Sequence, residues 1–198
     1  MRYDYLQFFE SKLRELAGKK RVLDVGGGAP FQKQMSKYRS WFQGVRFETM
    51  DVSTIYNPSI VGDIHAIPLA DLSIDAILCK SVLEHVTHPE KAVGEMHRIL
   101  KPGGQLLLYT HFVYPYHPRL GIYGDYFRYT EAGLRHLFRN FSSVEIKKQG
   151  GWFLALSFFL PLQARLRFFL EPAAYLLDKL FRTEQRSTTA GFYLYARK

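Results

Sequence analysis

The residues of this chain that could do chemistry fall at the ends of short apolar runs. Val22-Leu23-Asp24-Val25 leads straight into Gly26-Gly27-Gly28. A turn without Cβ atoms lets a ligand approach the backbone closely and rest on exposed N–H groups. Asp51 ends the next apolar run, and a carboxylate there can accept hydrogen bonds from both hydroxyls of a ribose. Asp63, with Ile64 beside it, follows a third run, and Lys80-Ser81 close a fourth. The glycine turn and Asp51 are chemistry for a nucleotide-containing ligand. Taken alone it suits a dinucleotide equally well, and a tight strand-to-helix turn capped by Asp24 would leave the same trace.

These positions need a scaffold that brings strand ends to one rim. Residues 3–17 carry Tyr5, Leu6, Phe8, Phe9, Leu13 and Leu16 at helical spacing. Strands are expected at 21–25, 45–50, 59–61, 74–79, 105–109, 144–148 and 191–197, and further helices at 31–42, 89–100 and 130–140. Pro89 suits a first helical turn, Lys101-Pro102-Gly103-Gly104 stops that helix, and Thr130 is a candidate N-cap. Strands alternating with helices predict an α/β fold: a Rossmann-like, seven-stranded, mostly parallel sheet with helices on both faces. Ligands bind such sheets beyond the carboxyl ends of the strands. That rule gathers Gly26–Gly28, Asp51, Asp63 and the residues after Cys79 on one rim.

Composition sets the bounds. With 198 residues, 47% hydrophobic and 23% charged, the chain suits one domain over 1–198 and argues against long disorder. The formal charge of +9 favours an anionic partner: nucleic acid, phospholipid headgroups or a phosphorylated substrate. The single cysteine, Cys79, leaves no disulfide framework within the chain and sits in an apolar run as core. The N-terminal stretch carries Asp4, Glu10 and Glu15 and no apolar signal-type run, so the expected location is the cytoplasm, free or at the inner face of the membrane. No metal cluster is expected, because His65, His85, His88 and His97 fall at scattered spacing without a cysteine pair.

Two further segments narrow the reading. Gly62-Asp63-Ile64-His65-Ala66-Ile67-Pro68-Leu69 precedes Ser73-Ile74-Asp75, and Ser81-Val82-Leu83-Glu84-His85-Val86 precedes Glu95, Arg98-Ile99-Leu100 and Lys101-Pro102-Gly103-Gly104. With the glycine turn, in this order, they resemble the class I S-adenosylmethionine-dependent methyltransferases, in their small-molecule branch, over residues 20–140. The resemblance implies S-adenosylmethionine as cofactor. It implies that Asp24, Gly26, Gly27 and Gly28 hold the amino-acid end and Asp51 the ribose. Asp63 would accept from the adenine amino group, Ile64 would offer its N–H and an apolar wall, and Lys80 and Ser81 would line the methionine side. Glu84-His85 stand at the family's Glu-His step, with His85 read as a structural hydrogen-bonding residue. Pro30 stands where the family usually has glycine, which removes an N–H donor.

The acceptor side is expected in the long aromatic loop 111–129. Pro115-Tyr116-His117 and Asp125-Tyr126-Phe127-Arg128-Tyr129-Thr130 resemble a motif of a bacterial subgroup of the family associated with glycan or lipid-linked metabolism. Methyl transfer is an in-line displacement that requires alignment, and a hydroxyl acceptor also needs a base. His117 is the first candidate base, because an unperturbed imidazole titrates near about 6.5. Asp125 would orient it or act in its place. His111, Tyr114, Tyr126 and Arg128 complete the acceptor loop. The plainer alternative is aromatic packing, with Arg128 and Asp125 as a structural clamp.

Residues 151–190 form an apolar helical insertion before the last strand, beginning Gly151-Trp152-Phe153-Leu154 and broken by Pro161 and Pro172. Leu176, Leu177, Leu180 and Phe181 share one helical face, with Asp178, Lys179 and Arg182 on the other. A spanning helix needs about 20 apolar residues, so no span is expected. The insertion is a core or pocket lid, a membrane-surface element, or a homodimer interface. The leading expectation is methyl transfer to a small-molecule or lipid- or glycan-linked acceptor at oxygen. The alternatives are an inactive cofactor-binding module, a nucleic-acid methyltransferase or binder (no clear nucleic-acid motif supports it) and a nucleotide-dependent oxidoreductase.

Overall fold

A computed structural model describes residues 3–161 and 163–198. Residues 1, 2 and 162, which the expected domain and insertion include, lie outside the described residues. The chain opens with α1 (Asp4–Ala17), β1 (Arg21–Val25), β2 (Arg46–Asp51), β3 (Ile60–Val61) and β4 (Ile74–Lys80). It continues with α2 (Pro89–Ile99), β5 (Leu100–His111), α3 (Glu131–Leu137) and β6 (Ser143–Lys148), then α4 (Trp152–Ser157), α5 (Gln163–Leu180) and β7 (Gly191–Arg197).

The seven strands form one sheet in the order β3-β2-β1-β4-β5-β7-β6. Only β7 runs antiparallel, between β5 and β6. The order reverses between β1 and β4, which pair in parallel with Val25 opposite Cys79. Strand side chains alternate between two cores. Leu23, Val25, Ile77, Cys79, Leu106, Leu108 and Leu194 face α2 and α3. Val22, Ala76, Leu78, Leu107, Tyr109, Tyr193 and Tyr195 face α1, α4 and α5. The helices therefore cover both faces, as the sequence predicts.

Three local expectations are corrected. Residues 31–42 form 3-10 turns over Lys33–Phe42 instead of an α-helix, following Phe31 in left-handed backbone at φ 56°. The strand expected at 105–109 spans Leu100–His111, so the Lys101–Gly104 stop lies inside β5, where a register shift against β4 absorbs it. Pro172 does not break the insertion, because α5 runs through it. Thr130 caps α3 as expected, its hydroxyl accepting from the Gly133 N–H at 3.0 Å.

The insertion corrects a fourth. Asp178, placed by periodicity on the solvent face, is 1% exposed. Its carboxylate accepts from the N–H groups of Gly151, Phe153 and Leu154 at 2.8, 2.9 and 3.1 Å, and from the Thr183 hydroxyl. One carboxylate thus satisfies the free N–H groups at the start of α4 and ties α4 to α5.

Candidate active site

A cavity of about 770 Å³ opens at the carboxyl ends of the strands. Gly26, Asp51, Asp63, Ile64, Lys80 and Ser81 line it on one side, and His111, Tyr114, His117 and Tyr126 on the other. Asp24, Gly27, Gly28, Asp125 and Arg128 are not among the lining residues. They stand behind the wall and hold it.

The cofactor half begins at the switch between β1 and β4. The Gly26 N–H donates to the Met50 carbonyl at 2.7 Å, which locks the glycine turn to β2. Gly26 and Gly28 have φ of 71° and 60°, a region L side chains enter at a cost. The space beside these glycines is taken by protein: a Cβ on Gly26 would lie 2.3 Å from Val82 Cγ2, and one on Gly27 2.5 Å from the Asp24 carboxyl. Much of the glycine requirement is therefore close internal packing, and Asp24 buttresses the turn from below. Burial pushes the Asp24 carboxyl up to about 7, against the attraction of Lys80. Lys80 is itself partly buried, its Nζ 5.1 Å from the Phe9 ring centre, and desolvation lowers its pKa.

Asp51 Oδ1 accepts the Ser53 N–H at 3.0 Å. Asp63 Oδ1 accepts from the His65 N–H at 2.9 Å and lies 2.7 Å from His65 Nδ1. These bonds set each carboxylate at a strand end, in the cavity wall.

The other half of the cavity is the loop 111–129, drawn back over Glu84-His85. The N–H groups of Tyr126 and Phe127 donate to the Glu84 carbonyl at 2.8 and 3.2 Å, and the Tyr129 hydroxyl donates to the Leu83 carbonyl at 2.8 Å. Arg128 grips Asp125 through two nitrogens, at 2.5 and 2.7 Å, and also donates to the Pro115 carbonyl. The Arg128 hydrogen bonds hold the Asp125 carboxyl far below the usual carboxylate range. Asp125 in turn accepts the His117 backbone N–H at 2.8 Å. Asp125 thus pairs with Arg128 and contacts His117 with the same carboxylate.

His117 Nδ1 lies 2.9 Å from the Pro115 carbonyl and 3.2 Å from Asp125 Oδ2. A carbonyl only accepts, so Nδ1 is the donor, and in the neutral imidazole Nε2 is then the acceptor. His85, left out of the sequence-based catalytic set, lines the same cavity with Nδ1 2.6 Å from the Gly124 carbonyl. Its ring centre is 4.9 Å from that of His117. Burial lowers the His85 pKa and drives that of His111 down to about 3. His111 stacks on Tyr114 with ring centres 3.9 Å apart.

Glu84 is fully buried, and burial pushes its carboxyl up to about 7. Thr110 donates to its Oε2 at 2.8 Å, while Oε1 has no hydrogen-bond partner and lies 3.3 Å from His111 Nε2. Linear spacing predicted no metal cluster, yet the fold brings ligand atoms of Glu84, His85 and His117 within 4.8 Å of one another. Tyr3, Tyr5, Gln149, Arg167, Glu171 and Tyr193 also line the cavity from α1, α5 and the far strands. Sequence reasoning missed them because their approach is purely tertiary.

Comparisons with known proteins agree with this layout. Residues 23–108 match the family model described as a methyltransferase domain. Over these residues the chain is similar to that family, and its fold is the one shared by solved S-adenosylmethionine-dependent methyltransferases. A demethylmenaquinone methyltransferase of Renibacterium salmoninarum is 41% identical over 68 residues, 34% of this chain and 28% of that protein. A ubiquinone biosynthesis O-methyltransferase of Xanthomonas oryzae pv. oryzae is 33% identical over 121 residues, 56% of this chain and 48% of that protein. This chain spans less than half the length of such curated relatives. A SAM-dependent methyltransferase structure from Archaeoglobus fulgidus superposes with a TM-score of 0.62 at 14% identity, covering 98% of this chain and 100% of that one, and shows the shared fold.

The methyltransferase domain's cofactor is S-adenosylmethionine, and the cavity fits it. The volume lies in the range of small-molecule sites. Two carboxylates stand at adjoining strand ends, and the Ile64 side chain is apolar and nearly buried beside them. Pro30 leaves the strand and its glycine turn in the expected place.

Proposed function

We propose that this domain transfers the methyl group of S-adenosylmethionine to a hydroxyl of a small-molecule or lipid- or glycan-linked acceptor. The observation that carries the reading is His117, its Nδ1 turned to the Pro115 carbonyl and its ring in the wall of the same cavity as Asp51 and Asp63.

Asp51 accepts from the ribose hydroxyls and Asp63 from the adenine amino group, beside Ile64. Gly26, buttressed by Asp24, Gly27 and Gly28, takes the amino-acid end with Lys80 and Ser81. When bound, S-adenosylmethionine supplies an electrophilic methyl carbon on a sulfonium. Tyr114 and His111 form a flat wall for the acceptor, and Tyr126 closes the opposite side. His117 Nε2 takes the hydroxyl proton as the oxygen–carbon bond forms and the carbon–sulfur bond breaks toward sulfur. Asp125 and the Pro115 carbonyl hold the imidazole in the tautomer that can accept. The O-methyltransferase name of the Xanthomonas relative supports oxygen as the receiving atom.

The test is transfer of labelled methyl from S-adenosylmethionine into a bacterial small-molecule and lipid extract. Label appearing with the wild type and lost with His117→Ala supports the proposal. No label from wild type that binds S-adenosylhomocysteine contradicts it.

A further inference from the structure

The α4–α5 insertion is built inside out for a helix pair on a water-facing surface. In α5 the buried positions include Asp178, while Leu166, Phe169, Leu176, Leu177 and Leu180, spaced by one helical face, are exposed. Phe168 is 83% exposed, Phe169 71% and Leu180 71%. Trp152, Leu156, Phe159 and Leu160 of the α4 segment are exposed as well. Monomeric soluble surfaces rarely gather this many large apolar side chains in one element.

The cations around this face choose its partner. Arg165 opens the stripe in helical register with Phe169, and Arg182 follows the end of α5. Neither holds an ion pair among the described residues. A second copy would set another chain of formal charge +9 against this face, which charge repulsion opposes. An anionic bilayer surface accepts both the apolar side chains and the arginines. Among the described residues no helix is long and apolar enough to cross a membrane.

The same insertion also reaches the cavity: Phe158, Gln163, Arg167 and Glu171 line it. We propose that the exposed face of α4–α5 docks on an anionic lipid bilayer, which holds the helix whose other face lines the acceptor cavity at the lipid surface. The inference deepens the lipid-linked form of the proposed function and rests on it only for the acceptor. Docking itself requires no turnover.

The test is co-sedimentation of the full chain with phosphatidylglycerol–phosphatidylcholine vesicles and with phosphatidylcholine vesicles alone. The wild type is expected to pellet with the anionic vesicles at low salt and to release as salt rises. The double substitution Phe168→Ser/Phe169→Ser is expected to weaken vesicle binding about tenfold or more. Arg165→Glu/Arg182→Glu is expected to remove the preference for anionic vesicles. Calorimetric binding of S-adenosylhomocysteine to each variant, unchanged, shows that the fold and cofactor site survive. Absence of wild-type binding to anionic vesicles overturns the proposal. So does a dimer by light scattering that Phe168→Ser/Phe169→Ser converts to monomer, since the face would then be taken by a second copy. Neither result touches cofactor binding, so a failure here is separable from a failure of the methyl-transfer reading.

Discussion

Asp125 meets Arg128 with both carboxylate oxygens, at 2.5 and 2.7 Å, while the same carboxylate accepts the backbone N–H of His117. The Asp125 side chain is fully buried and that of Arg128 is a quarter exposed. Removing one partner leaves a charge without its counter-ion behind the wall of the cavity. For Asp125→Ala we expect about 2 kcal/mol lower stability, less than a fully buried pair would lose because Arg128 reaches water. Chemical denaturation measures the loss, and hydrogen exchange at residues 115–129 should show the opening concentrated in that loop.

His117→Ala should lower the methyl-transfer rate by a factor of about 10² to 10⁴, the usual range for losing a general base. Binding of S-adenosylhomocysteine should stay within about twofold, because His117 sits on the acceptor wall. A variant that loses both together would place His117 in the cofactor site.

The Asp24 carboxyl gives the domain a pH dependence. Burial raises it to about 7, so it is charged above that pH and takes up a proton below it. If the ionised form supports the cofactor's ammonium end, affinity for S-adenosylhomocysteine is full at pH 8 and falls by about tenfold at pH 6. Asp24→Asn should bind weakly at both pH values with a flat profile. A wild-type profile that is flat between pH 6 and 8 would remove Asp24 from cofactor binding and leave it as a buttress of the turn.

Asp178 carries the insertion. Asp178→Ala leaves the start of α4 with three N–H groups unpaired, which should cost about 2–3 kcal/mol. Limited proteolysis should then cut first within 151–182, with the sheet still folded by circular dichroism.

The first three strands were legible because each runs into glycine or aspartate, β4 because it is a continuous apolar run, and the parallel arrangement follows from strand–helix alternation. Asp51, Asp63, Lys80 and Ser81 were legible for the same reason: a strand's last residue must lie on the rim. The pairing of Asp125 with His117 followed from one loop. Glu84 was not legible as a buried, partly unpartnered acid, because its burial depends on Thr110 and on the backbone of Tyr126 and Phe127 closing over it. Asp178 misled periodicity, since a side chain on the polar side of a helix can still be the cap of another helix. Tyr5, Tyr193 and Arg167 reach the cavity from elements far apart in sequence, and no local pattern announces that.

Cofactor binding at the ends of β1 and β2 is the claim on which the rest depends. Calorimetric titration of S-adenosylhomocysteine into the wild type and Asp51→Ala tests it without turnover and without the acceptor. We expect saturable binding to the wild type and at least about tenfold weaker binding to Asp51→Ala, whose carboxylate would accept charge-assisted hydrogen bonds from the ribose. A folded wild type that does not bind, or an Asp51→Ala variant that binds equally well, would contradict it.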